Sequence, residues 1–275
     1  MLDNSRFSLN RIVYPGLDLE GFFKFTRDLG LNKVELRNDL AGGAIFDDLS
    51  PEKVRTLAES YGVHVLTINA IQKFNLGSVF DQVYEETRRM LTIAAALGCE
   101  AIVLCPNNDV EDKRTQEQFY TETVAALRKL APLFEESGVS GLVEPLGFEE
   151  SSLRSKDTAV KAIQESGYEG YKLVHDTFHH YLSSDESFYP TYTGLVHISG
   201  VKAGIPKTQI RDEHRILIGP RDIMRNKEQI KMLETDGYTG VYSFEPFSTT
   251  VQNMSSETLQ ETLQESLRFL FGSET

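Results

Sequence analysis

Hydrophobic and polar positions along the chain follow two periods in turn. Short runs rich in β-branched and aliphatic residues recur, and between them apolar positions repeat every three or four residues. Residues 7–13 form the first such run, and residues 19–29 follow with Phe22, Phe25 and Leu29 on one helical face. Residues 33–37 (Lys-Val-Glu-Leu-Arg) predict a second strand. Pro51 then opens a helix at the position where its missing N–H costs nothing. A third strand is expected over residues 63–68, ending at Asn69-Ala70. A helix over residues 79–97 is stopped by Gly98, a fourth strand covers residues 101–104, and a polar helix over residues 114–137 stops at Gly138. The second half repeats the scheme, with strands at residues 141–145, 171–176, 195–200 and 241–245. Its helices are expected at residues 158–165, 222–235 and 255–271.

Eight strands with a helix after most of them call for parallel pairing through crossover helices. In 275 residues this predicts an α/β fold, a single (β/α)8 TIM barrel forming one domain over residues 1–275. An open doubly wound sheet fits less well, because Tyr14-Pro15-Gly16 stands where a GxGxxG loop would follow the first strand.

The chemistry gathers where strands end. The sixth strand runs into His175-Asp176-Thr177-Phe178-His179-His180. Asp176 and His179 are three apart, so a helical turn puts both on one side; taken alone, the stretch reads equally as a helix N-cap beside surface histidines. Three neighbouring strands carry donors in the same place: Glu144 before Pro145, His197 in the seventh strand, and Glu245 before Pro246. The successive steps, Glu144 to Asp176, Asp176 to His197 and His197 to Glu245, are 32, 21 and 48 residues, each accommodating one barrel unit. Strands five to eight would therefore each bring one donor to the C-terminal rim, where barrel sites are built. Singly, each acid reads as a solvated loop residue and His197 as a core histidine; in phase, they form a ligand set for one divalent ion. His175 should point the other way along its strand, and His180 has no assignment.

Composition narrows the partners. The net charge of −13 argues against a tight nucleic-acid binder, which needs a basic face to neutralise phosphates. No run approaches the roughly 18 apolar residues of a membrane span. The start, Met1-Leu2-Asp3-Asn4-Ser5-Arg6, has no basic flank leading into an apolar run, so a soluble, cytoplasmic protein is expected. Cys99 and Cys105 flank the fourth strand and would lie roughly 20 Å apart, too far for a disulfide.

The four strand-end motifs, with Asp176-Thr177-Phe178-His179 and Asp212-Glu213-His214-Arg215-Ile216-Leu217-Ile218-Gly219, resemble the xylose-isomerase-like barrel superfamily of sugar isomerases and epimerases. The similarity is closest to the inosose (2-keto-myo-inositol) isomerase branch. It extends from Asn10 and Val34-Glu35-Leu36-Arg37, through Ile68-Asn69-Ala70, to Phe244-Glu245. The resemblance implies Glu144, Asp176, His197 and Glu245 as ligands of one divalent metal ion, with Mn, Zn or Co suiting the three-oxygen, one-nitrogen set. It also implies His179 as a substrate contact and Arg215 as a substrate-side cation. Moving a carbonyl along a polyol requires removing a proton beside it. Glu144 and Glu245, three strands apart around the ring, are the expected catalytic pair for that transfer. Glu35, Asn69 and Lys73 sit at or after strand ends and are read as pocket-lining or as structural; Phe74, Phe178 and Phe247 as sugar-facing walls or as core.

The expected partner is a small sugar or cyclitol, with no membrane or nucleic acid, and a homo-oligomer is left open. A keto-cyclitol dehydratase would use the same donors. An apurinic-endonuclease-like zinc phosphodiesterase would use Asp176, His179, His197 and Glu245, adding Asp212 and His214 for further metal. That family also needs histidines after strands three and four, where this chain has Asn69 and Cys105-Pro106-Asn107. A non-catalytic sugar-binding barrel is the remaining reading.

Overall fold

The structure is a computed structural model that describes residues 4–40 and 45–272. Residues 1–3, part of the N-terminal stretch considered above for a leader, lie outside the described part. The strands are β1 (Phe7–Asn10), β2 (Lys33–Arg37), β3 (His64–Ile71), β4 (Ala101–Leu104), β5 (Ser140–Val143), β6 (Tyr171–Asp176), β7 (Thr193–Ile198) and β8 (Val241–Phe244). They pair in parallel in chain order and close with β8 beside β1, giving the expected TIM barrel. The helices are α1 (Leu19–Asp28), α2 (Pro51–Ser60), α3 (Phe80–Leu97), α4 (Gln116–Ser137), α5 (Lys156–Ser166), α6 (Thr177–Ser183), α7 (Asn226–Thr235), α8 (Thr249–Gln252) and α9 (Ser256–Phe271).

Local chemistry sets the element ends. Gly98 and Gly138 stop α3 and α4 in the left-handed conformation, at φ 77° and 68°. Thr115 and Gln118 form a capping box at the start of α4. Several boundaries differ from the sequence expectation: β3 runs on to Ile71, β5 stops at Val143 and β7 at Ile198, and two further differences have a visible cause. β1 ends at Asn10 rather than Val13, because the Asn10 side chain accepts the Ile12 N–H and turns the chain into a 3-10 segment. α7 starts at Asn226, since the Asp222 carboxylate accepts N–H bonds from Val201, Met224 and Asn226 and holds the preceding loop irregular.

The alternation of strand side chains positions the site. Ile102, Leu104, Val143, Leu173, Val196, Ile198 and Phe244 belong to the main core packed with the helices. The intervening residues Ala101, Val103, Leu142, Val174 and Leu195 form a separate buried cluster within the ring. Two residues further along, the same faces carry Cys105, Glu144, Asp176 and His197. An apolar floor thus lies beneath a polar rim.

Candidate metal centre

One ligand atom from each of Glu144, Asp176, His197 and Glu245 lies within 4.8 Å of the others, and all four residues are buried. Asp176 is level with His197 across the β6–β7 pair, while the Glu245 N–H bonds the Ile198 carbonyl at the top of β7. The four expected donors therefore meet, and they bring three carboxylates together in a buried position. Buried like charges of this density require cations.

The described residues supply these from within. His197 Nδ1 lies 2.9 Å from Glu144 Oε1 and 3.2 Å from Glu245 Oε2. Burial opposes charge on this imidazole, but Glu245, Glu35 and Glu144 together push its pKa well above the ordinary value. Arg215 places Nη2 at 2.6 Å from Asp176 Oδ2 and 2.9 Å from Glu245 Oε2. Arg37 places Nη1 at 2.6 Å from Glu245 Oε1. Burial alone would raise the Glu245 pKa; His197, Arg215 and Arg37 instead hold it well below the carboxylate range. Asp176 moves the other way, because burial and the neighbouring Glu144 and Glu245 outweigh Arg215. A chemical asymmetry follows: Glu245 is gripped by two guanidinium groups, whereas the bonds of Glu144 are to an imidazole and to the Cys105 thiol, 3.4 Å from Oε2.

A second layer fixes the imidazole. Glu35 Oε2 lies 3.2 Å from His197 Nε2 and accepts from Thr67 Oγ1 at 2.5 Å and Asn69 Nδ2 at 2.9 Å. Nδ1 is therefore the nitrogen turned toward the carboxylates. Glu35 and Asn69 are 0% and 1% exposed, so they sit behind His197.

His179 accepts the Gly147 N–H at Nδ1, which leaves Nε2–H as a donor; burial, then the charge of Arg215, lowers its pKa to about 4 and keeps it neutral. Arg215 is 1% exposed and sits 4.8 Å from the ring centroids of both Phe178 and Phe247, so the expected loop cation is embedded in the cluster. Phe74 and Phe178 are core residues, and partly exposed Phe247 stacks on Arg37 and Arg215. Lys73 is exposed in the loop after β3 and is not brought into the cluster. Nor do Asp212 and His214 join it as further ligands: Asp212 pairs with Arg215, and His214 Nδ1 accepts the Arg211 N–H. Among the described residues, the four strand-end donors are the one group of acids, histidines and cysteines within ligating range.

Arg37, Thr67 and Cys105 also reach this site, with no role among the sequence expectations. The signal lay in pairs of polar residues two apart inside buried strands, Glu35 with Arg37 and Thr67 with Asn69.

A closed parallel barrel carrying an acid–histidine cluster at its C-terminal rim defines the class, and comparison with known proteins places the chain within it. Residues 23–271 match the xylose isomerase-like TIM barrel family, and the chain belongs to that family. A curated relative, the inosose isomerase of Halalkalibacterium halodurans, is 21% identical over 235 residues, covering 83% of this chain and 82% of that protein. The crystal structure of a xylose isomerase domain containing protein from Salmonella typhimurium is 40% identical with a TM-score of 0.91, covering 98% of each chain. IOLI protein, solved with a bound zinc atom, has a TM-score of 0.88 at 19% identity, covering 98% of this chain and 99% of its own.

Proposed function

We propose that the protein is a metal-dependent isomerase or epimerase of a keto-sugar or keto-cyclitol, with 2-keto-myo-inositol as the first substrate to test. The observation that carries this reading is the convergence of Glu144, Asp176, His197 and Glu245 on one buried point. The donor chemistry fits one divalent ion, since three carboxylates and an imidazole offer a mixed oxygen–nitrogen set. Such an ion supplies Lewis acidity to the oxygens of a ketose or inosose. The curated inosose isomerase relative supports the choice of cyclitol.

The protein's own groups divide the proton work. Glu144, bonded to an imidazole and a thiol rather than a guanidinium, removes the proton beside the carbonyl. Glu245, held ionised at rest by Arg37 and Arg215, takes up a proton from solvent or a substrate hydroxyl and returns it on the other side, after which Glu144 gives its proton to solvent. His179, neutral with Nε2–H free to donate, bonds a substrate oxygen.

The test is a panel of inososes and ketohexoses with protein reconstituted with Mn, Co or Zn, scored for solvent deuterium entering the alpha carbon. Exchange should appear with at least one substrate. It should fall by at least about 100-fold in Glu144→Gln and Glu245→Gln with the fold retained, the lower end of a general acid–base contribution. No exchange with any substrate, or near wild-type exchange in both variants, rules the reading out. Loss of water from the labelled product instead marks a dehydratase.

A further inference from the structure

The strand end that carries Asp176 is held from behind by groups that the chemistry above does not use. On the outer face of β6, His175 is 0% exposed and bonded at both ring nitrogens. Gln229, from α7, uses its amide NH2 to donate to the carbonyls of Thr177 (3.1 Å) and Met224 (2.8 Å). Its Oε1 is thus the atom facing His175 Nε2 at 3.0 Å, and that nitrogen must carry the proton. His175 Nδ1 is then an acceptor and receives a bond from Lys156 Nζ at 3.0 Å. The same amine reaches His180 Nδ1, on α6, at 2.7 Å. Lys156, the first residue of α5, is 3% exposed and lies over the Phe188 ring. Its backbone N–H is fixed by Asp185 Oδ2 at 2.9 Å.

These bonds converge on one corner. Lys156 binds the residue before Asp176 and a residue in the middle of α6, while Gln229 binds Thr177, the residue after Asp176. Asp176 in turn caps α6 through bonds from the N–H groups of Phe178 (2.7 Å) and His179 (3.4 Å). The carboxylate offered to the metal and the imidazole offered to the substrate therefore share a mounting tied to α5 and α7. We infer that Lys156 and Gln229 are positioning residues that act through His175 and Thr177 to set the β6–α6 corner, and with it Asp176 and His179. The inference rests on the metal reading only for its binding arm.

Lys156→Met and Gln229→Leu test it by two readouts on the full chain. In metal-free protein, amide hydrogen exchange of the peptide spanning residues 176–183 should accelerate in both variants by tenfold or more, with the rest of the barrel little changed. By calorimetry, Co2+ affinity should weaken about tenfold, the scale seen when a residue supporting a ligand is lost. Unchanged exchange in this peptide, or acceleration spread evenly over the barrel, overturns the inference. If the wild type binds no Co2+, the metal reading fails while the exchange arm still decides the mounting. Should one variant not fold, the other carries the test. In the unaltered protein, ring 15N shifts must show the His175 proton on Nε2; a proton on Nδ1 overturns the inference outright.

Discussion

Glu35 shows how much of the centre depends on a residue that need not touch metal or substrate. Three donors converge on its Oε2, from Thr67, Asn69 and His197, and Asn10 adds a longer bond at Oε1. A glutamine here must turn an NH2 group toward at least one of those donors, and even with its oxygen kept at the Oε2 position His197 loses the negative charge that anchors Nε2 and aims Nδ1 at the carboxylates. Glu35→Gln should therefore lower metal affinity about 10–100-fold while the barrel stays folded. Calorimetric titration with Co2+ beside a circular-dichroism spectrum measures both, and wild-type affinity in a folded variant removes Glu35 from this role. The four donors of the centre were legible in the sequence because each stands at or near the end of an apolar run at a spacing the barrel repeats. Arg37 and Cys105 were not legible as partners, because their relation to Glu245 and Glu144 exists only after the ring closes.

At the scale of elements, the β6–α6 corner concentrates both constraint and cost. A Cβ on Gly147 would lie 2.2 Å from the His179 carbonyl and 2.9 Å from the Ser183 amide nitrogen, both backbone atoms of α6 or its end. Gly147→Ala must push the loop after β5 away from α6, loosening the N–H bond that sets the His179 tautomer. A loss of about 2–3 kcal/mol is expected in urea unfolding, and an unchanged midpoint would show that the loop shifts freely. Lys156 adds a pH signature. Burial lowers its pKa to about 7, against smaller opposing effects of Asp185 and Asp157, while the unfolded side chain titrates near 10.5. Between those values the unfolded chain holds a proton that the folded one lacks, so stability rises with pH through that window. The gain is complete above the unfolded value and lost as pH falls through about 7. Compared with Lys156→Met, the wild type should gain several kcal/mol between pH 7 and 10; parallel stability curves would contradict a buried, neutral amine. Segment boundaries were less legible than segment types for a related reason: the bonds of Asn10 and Asp222 that end β1 and delay α7 come from side chains whose reach is set by turns, and periodicity does not register them.

Across the whole molecule, the alternation of strand and helix specified the barrel, and the barrel specified the rim. The barrel also explains why the cluster needs positive charge beside it. Strands five to eight deliver three carboxylates to one point because each strand's hydrogen bonds and core contacts are already satisfied by that register. The electrostatic strain is met locally by Arg37, Arg215 and the His197 imidazole, whose pKa the neighbouring acids raise. A divalent ion bound to the four donors adds stability only to the folded chain, since the unfolded chain scatters them over a hundred residues. At a concentration about 100 times its Kd, the gain is about 2.7 kcal/mol. For a barrel of this size that corresponds to roughly 5 °C in Tm. Co2+ or Mn2+ should raise the Tm by that amount and EDTA should reverse it, with the shift reduced in Asp176→Asn. An increase of equal size in Asp176→Asn would place the ion elsewhere on the acidic surface and leave the four strand ends held by their own cations alone.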